Sequence, residues 1–177
     1  DDITTLANFG CHAVHCPESN MKLASGFSPV EKMRVAGINV AIGTDGAASN
    51  NDLDLFSEIR SAALLGKVVA GDASALPDHY ALTMATLNGA KALGIDHLVG
   101  SLEVGKQADV IAIDLSALEQ QPVYSPVSQL VYTNISHQVR YSWIMGRKVL
   151  DNGELTTLDR RDIIARAELW RSRISGE

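Results

Sequence analysis

The sequence predicts an α/β chain with parallel strands that passes into a smaller β-rich part. Three observations carry that reading. Residues 38–42 (INVAI) are a continuous apolar run, as expected of a parallel strand covered on both faces. Through the first half, apolar runs alternate with helical segments, the pattern of βαβ units. Beyond residue 96 the pattern becomes short apolar runs split by glycine turns, which reads as a hairpin.

In chain order, residues 11–16 (CHAVHC) read as a short buried strand. Ser28 is placed to cap the next helix, with Pro29 at its first position, Glu31 closing a capping box and Gly37 ending it. The strand at 38–42 follows. Residues 50–52 stand where a second helix needs its cap, and Phe56, Ile59 and Ala63 give that helix one apolar face. Residues 72–77 read as a loop, and 78–93 as a helix interrupted at Gly89. In the second part, residues 109–113 (DVIAI) are a strand, and 139–145 and 147–150 form a hairpin about Gly146. Residues 151–153 make another turn. Asp159 caps a last helix with Ile163, Ala167, Trp170 and Ile174 on one face. A boundary near Ile95 divides the chain into residues 1–95 and 96–177.

Composition narrows the function classes. The chain has 177 residues, 46% of them hydrophobic and 20% charged, which is globular rather than disordered. The net charge of −6 and the lack of a Lys/Arg-rich run speak against a nucleic-acid partner. No apolar run approaches ~18 residues, so no membrane partner is expected. The first residues carry neither a basic start nor an apolar core, and two cysteines do not make a disulfide framework. A cytoplasmic, reduced setting is expected. The chain does not begin with Met, and part of a longer protein is expected.

Three stretches carry candidate chemistry. Cys11, His12, His15 and Cys16 resemble a zinc cluster only in composition. On a strand, Cys11 and His15 face one side and His12 and Cys16 the other, each pair ~13 Å apart. A tetrahedral zinc needs its ligands within ~2.0–2.3 Å, so buried cysteines and a satisfied histidine are the better reading. His15, nearest the strand's C-terminal end, keeps a claim to face a site. Residues 100–107 (GSLEVGKQ) nearly match a phosphate loop, but Gln107 has no hydroxyl and the chain runs on into a strand. That stretch reads as a turn between strands with Lys106 solvated. Residues 43–46 (GTDG) are the informative ones. Asp45 directly follows an apolar strand, and its flanking glycines permit a sharp turn and a close approach to a ligand. Against this stands an aspartate that merely caps the following loop. Ser49, Asn50 and Asn51 could orient Asp45, with helix capping the simpler role.

Residues 15–23 (HCPESNMKL) and 43–51 (GTDGAASNN), with 85–90 (ATLNGA) and 100–109 (GSLEVGKQAD), resemble the amidohydrolase superfamily. The first pair is most similar to its 5′-methylthioadenosine/S-adenosylhomocysteine deaminase branch, a neighbour of the triazine hydrolases and guanine deaminases. The resemblance covers essentially the whole chain. It implies the C-terminal part of a metal-dependent (β/α)₈ barrel, with strands seven and eight in residues 1–95, plus a small β-sandwich segment and C-terminal helix in 96–177. It implies one divalent metal, most often zinc, held by an H-x-H pair, a later His and an Asp. Only the Asp has a match here, Asp45; no H-x-H occurs.

The implied reaction is hydrolytic deamination of an adenine ring in S-adenosylhomocysteine or 5′-methylthioadenosine, by the full-length chain. A bound zinc lowers the pKa of a water to ~7. Asp45 would serve as metal ligand, as proton acceptor and in substrate binding, with His15 a second candidate for the substrate. The partner is a small-molecule nucleoside, and a homo-oligomer is compatible with the reading. Alternatives stay open: another ring hydrolase such as a guanine deaminase or triazine hydrolase, or a non-catalytic barrel relative.

Overall fold

The structure, a computed structural model, describes residues 2–176; Asp1 and Glu177, the outer ends of the two expected parts, lie outside the described residues. The elements run α1 (Asp2–Asn8), β1 (His12–His15), α2 (Pro17–Lys22), α3 (Val30–Val35), β2 (Asn39–Ile42), α4 (Leu55–Ala70), α5 (Asp78–Met84) and α6 (Leu87–Ala92). Then come β3 (Val110–Ile113), α7 (Pro126–Tyr132), β4 (Val139–Ile144), β5 (Arg147–Asp151), β6 (Glu154–Leu155) and α8 (Arg160–Ser175). The chain is a mixed α/β structure.

The parallel pair is present. β1 and β2 lie side by side in register, from His12 opposite Asn39 to His15 opposite Ile42. Paired residues share a face. Val40 and Ile42 turn toward the helices and join one core with Val30, Ile59, Leu76 and Met84. Each such side chain, fully buried, contributes about 1.5–3 kcal/mol by the hydrophobic effect. The other face of β1 differs from the buried strand expected: His12 is exposed and Val14 is 60% exposed. The β2 residue paired with Val14 on that face, Ala41, is by contrast 2% exposed.

Several boundaries differ from expectation for local reasons. Ser28 does not cap α3; its carbonyl accepts from Val30 N at 2.9 Å, and Pro29 is the cap residue. Glu31 closes no capping box because its carboxylate takes two hydrogen bonds from Arg34, at 2.8 and 2.7 Å. The cap of α4 is Asp54, which accepts from Phe56 N at 2.9 Å, and not residues 50–52. The break in the 78–93 segment falls at Ala85 and Thr86, with Gly89 inside α6. Thr86 Oγ1 bonds back to Leu82 O at 2.9 Å, the side-chain competition that bends helices. Lys106 is not solvated: its side chain is 13% exposed and donates to Ser101 Oγ at 2.5 Å.

The second sheet is antiparallel, ordered β3-β4-β5-β6, and contains all three strands expected of this part. Met145 and Gly146 between β4 and β5 have φ of 50° and 76°, the left-handed pair that a tight hairpin turn requires. Asp159 caps α8 by accepting from Arg161 N and Asp162 N. The expected apolar face of α8 is solvent-exposed, with Trp170 at 59% and Ile174 at 83%. α7, whose Ser125 cap and Pro126 start went unread in the sequence, packs back on α4 and α5 and buries Val131. Ser136 then hydrogen-bonds the Asp54 cap. No helix among the described residues is long and apolar enough to cross a membrane.

Candidate active site

The exit of β2 is built for close approach. A Cβ on Gly43 would meet Val14 Cγ1 at 3.0 Å and Cys16 Sγ at 3.3 Å, tighter than ordinary contacts. Gly43 N continues the ladder to His15 O at 3.0 Å. The sharp turn itself is not made by the glycines. It falls on Asp45, whose φ is +61°. That left-handed conformation costs a residue with a Cβ about 1–2 kcal/mol, least for Asp and Asn. A conformation held at that cost, at the C-terminal end of a parallel strand, marks a site candidate.

Two hydroxyls fix the Asp45 side chain. Ser49 Oγ donates to Oδ2 at 2.7 Å and Ser19 Oγ donates to the same oxygen at 2.8 Å. Ser49 and then Ser19, with the Gly46 N–H, hold the Asp45 carboxyl below the usual carboxylate range. The group is exposed and ionised. Since a carboxylate offers about four lone-pair sites, two hydroxyls on Oδ2 leave room on Oδ1. Ser49 therefore orients Asp45, the role the sequence ranked second to capping. Ser19 comes from α2, 26 residues away in sequence, and was not foreseen.

The two flanking segments are also tied to each other. Lys22 Nζ reaches Ala48 O at 2.9 Å and Asn51 Oδ1 at 2.6 Å. Beneath them lies Glu58 of α4, fully buried. Its Oε1 accepts from Asn50 Nδ2 at 2.5 Å and its Oε2 from Glu18 N at 3.1 Å. Burial, with the nearby Glu18 charge, pushes the Glu58 carboxyl upward, against the pull of those hydrogen bonds. The Glu18 carboxylate is itself held by Ser57 and Ser61 hydroxyls at 3.0 and 2.8 Å. One signal of this cluster was readable: Glu58 precedes Ile59 and stands one turn before Ala62, on the helix face that the apolar residues bury.

His15 is not among the side chains that hold Asp45. It pairs with Ile42 on the helix-facing side of the sheet and is 7% exposed. Pro17, Asn20, Phe27 and Leu65 line the small space beside it. Burial holds its pKa below the ordinary imidazole value. His12, on the opposite face, has Nδ1 2.8 Å from Asn39 Nδ2. Among the described residues no group of three or more His, Cys, Asp or Glu could hold a metal ion. Asp45 fits a divalent cation as one ligand: it is ionised, exposed and preset in orientation. The rest of a ligand set would have to come from beyond the described residues. A groove of about 490 Å³ bordered by Asp54, Ser57, Arg60 and His137 does not include Asp45.

Comparison with known proteins bears on this arrangement. The chain is 55% identical over 177 residues to the 5-methylthioadenosine/S-adenosylhomocysteine deaminase of Teredinibacter turnerae, covering all of this chain and 40% of that protein. It matches the crystal structure of an adenosine deaminase from Xanthomonas campestris with bound Zn at a TM-score of 0.97 and 52% identity, over 99% of this chain and 40% of that one. A mutant of the atrazine chlorohydrolase of Arthrobacter aurescens, complexed with zinc and atraton, matches at a TM-score of 0.89 and 27% identity, over 95% of this chain and 37% of that one. The chain thus spans about 40% of the length of these two deaminases. Residues 1–149 match the model of the amidohydrolase family. With that match over most of its length, and an aspartate held ready at the end of a parallel strand, the chain belongs to the amidohydrolase family.

Proposed function

We propose that the full-length protein carrying this chain is a zinc-dependent deaminase. It hydrolyses the adenine C6–N bond of S-adenosylhomocysteine or 5′-methylthioadenosine, giving the inosyl product and ammonia. On this reading β1 and β2 are strands seven and eight of a (β/α)₈ barrel, and residues 96–177 form part of a small β-sandwich with a C-terminal helix. The observation that carries it is Asp45, ionised and oriented by Ser19 and Ser49 at the C-terminal end of β2, the end where such barrels place their chemistry. The methylthioadenosine/S-adenosylhomocysteine deaminase and the adenosine deaminase share about twice the sequence identity of the triazine-type hydrolase, which favours an adenine ring over a triazine. Free thiols at Cys11 and Cys16 suit a cytoplasmic setting.

Asp45 would hold one coordination position of a single divalent metal, the other ligands coming from outside this chain. When bound, the metal lowers the pKa of a water to ~7. Asp45 then has the second task of accepting a proton from the attacking water and passing it toward the leaving ammonia. Ser19 and Ser49 keep the carboxylate in one orientation through both tasks. We assign His15 no proton transfer, because it lies buried on the helix side. A screen of the full-length protein against S-adenosylhomocysteine, methylthioadenosine, adenosine and guanine, with metal analysis of the same sample, tests the proposal. Ammonia release from the first two with about one equivalent of zinc is expected. Turnover of guanine alone, or of none of the four, overturns it.

A further inference from the structure

We infer that Glu58 is a positioning residue for Asp45, gripping with its two carboxylate oxygens the two arms that hold that aspartate. The inference rests on the reading of Asp45 as a metal ligand. Glu58 Oε2 accepts from Glu18 N, and the next residue, Ser19, donates to Asp45 Oδ2. Glu58 Oε1 accepts from Asn50 Nδ2, and the preceding residue, Ser49, donates to the same Asp45 oxygen. The path closes on itself: Glu58, Glu18, Ser19, Asp45, Ser49, Asn50, Glu58. It joins three segments, α2, the loop after β2 and α4, through one buried side chain.

A carboxylate with no accessible surface is a costly choice for a helix face otherwise filled by Ile59, Ala62 and Ala63. No ion pair of the described residues includes it. Its hydrogen bonds therefore account for its presence, and both lead to Asp45. A carboxylate is also the side chain for the task, since both of its oxygens accept. In Glu58→Gln, the new Nε2 group must face either the Glu18 N–H or the Asn50 amide. Shape is kept while one arm is released.

The test uses the full-length protein, with zinc affinity from chelator competition, kcat and KM for the deaminated nucleoside, and the unfolding midpoint. Outer-shell groups that orient a ligand change metal affinity by ~10–100-fold. Glu58→Gln is expected to weaken zinc binding about 10-fold and to lower kcat with little change in KM. In a Ser19→Ala/Ser49→Ala background the same substitution should add less than about twofold, because the arms are already gone. Asn50→Ala, which frees one arm and leaves Glu58 in place, covers the case in which Glu58→Gln does not fold. It should weaken zinc binding in the wild-type background and not in Ser49→Ala. Wild-type zinc affinity in Glu58→Gln, or losses that simply multiply with those of the serine variants, would overturn the inference. Asp45→Asn separates the two levels. If it keeps zinc, the metal-ligand reading fails; if it loses zinc while Glu58→Gln does not, only the positioning role fails.

Discussion

Asp45 stands out in the sequence as a candidate because it follows an apolar run and sits between glycines. What could not be read was which residue bears the strain. The left-handed turn falls on the aspartate, and Gly43 instead serves the close approach of the two strand ends. Ser19 and Glu58 escaped notice for a different reason. Their contacts join segments 26 and 40 residues apart, and pairing at that range is fixed by tertiary packing rather than by any local pattern. His15 yields a prediction from its burial. Its folded pKa is depressed, so below ~6.5 the unfolded chain takes up a proton that the folded chain resists. The stability it carries is complete above that pH and is lost as pH falls through the window beneath it, by up to ~1.4 kcal/mol per pH unit. Among the described residues, no other titratable group lines the space beside it. Unfolding free energies of wild type and His15→Gln at about pH 7.5 and about pH 5.5 should therefore diverge, wild type losing more on acidification. Parallel losses would show that His15 is not held neutral by the fold.

Among the elements, segments with one dominant local signal form where the sequence predicts them. The hairpin at Met145 and Gly146, the Asp159 cap and the parallel strand at 38–42 each rest on local chemistry. The caps of α3 and α4 fall elsewhere because the polar residues expected to make them have other partners. Glu31 goes to Arg34 in its own helix and to the distant Leu76 N, and Asn50 goes to Glu58. α4 is the element that ties core to site, and its packing makes a second prediction. A Cβ on Gly66 would lie 2.7 Å from Leu76 Cδ2 and 3.0 Å from Cδ1. Leu76 is fully buried. Alanine would gain ~1 kcal/mol of helix propensity but force an overpacking cost of ~1–3 kcal/mol. Gly66→Ala should thus be destabilising by about 1 kcal/mol in denaturant titrations of the full-length protein. A stabilised variant would mean that Leu76 yields freely.

For the molecule as a whole, the α/β class and the second sheet followed from pattern, while the barrel and sandwich remain proposals. Two parallel strands cannot close a barrel, which takes ~250 residues, and Val14 stands exposed on the face that such a barrel would enclose. The proposed activity therefore turns on Asp45 acting within a larger protein. The most direct measurement is kcat on S-adenosylhomocysteine together with bound zinc, for full-length wild type beside Asp45→Asn. Asparagine tolerates the left-handed backbone and keeps the shape, so the fold should survive. It cannot accept a proton. Loss of general-base catalysis alone typically costs ~10²–10⁴-fold, and weakened metal binding should add to that. If Asp45 is metal ligand and base, Asp45→Asn loses at least ~10³-fold in kcat, with reduced zinc and an unchanged unfolding midpoint. Near-normal kcat with full zinc content would contradict it.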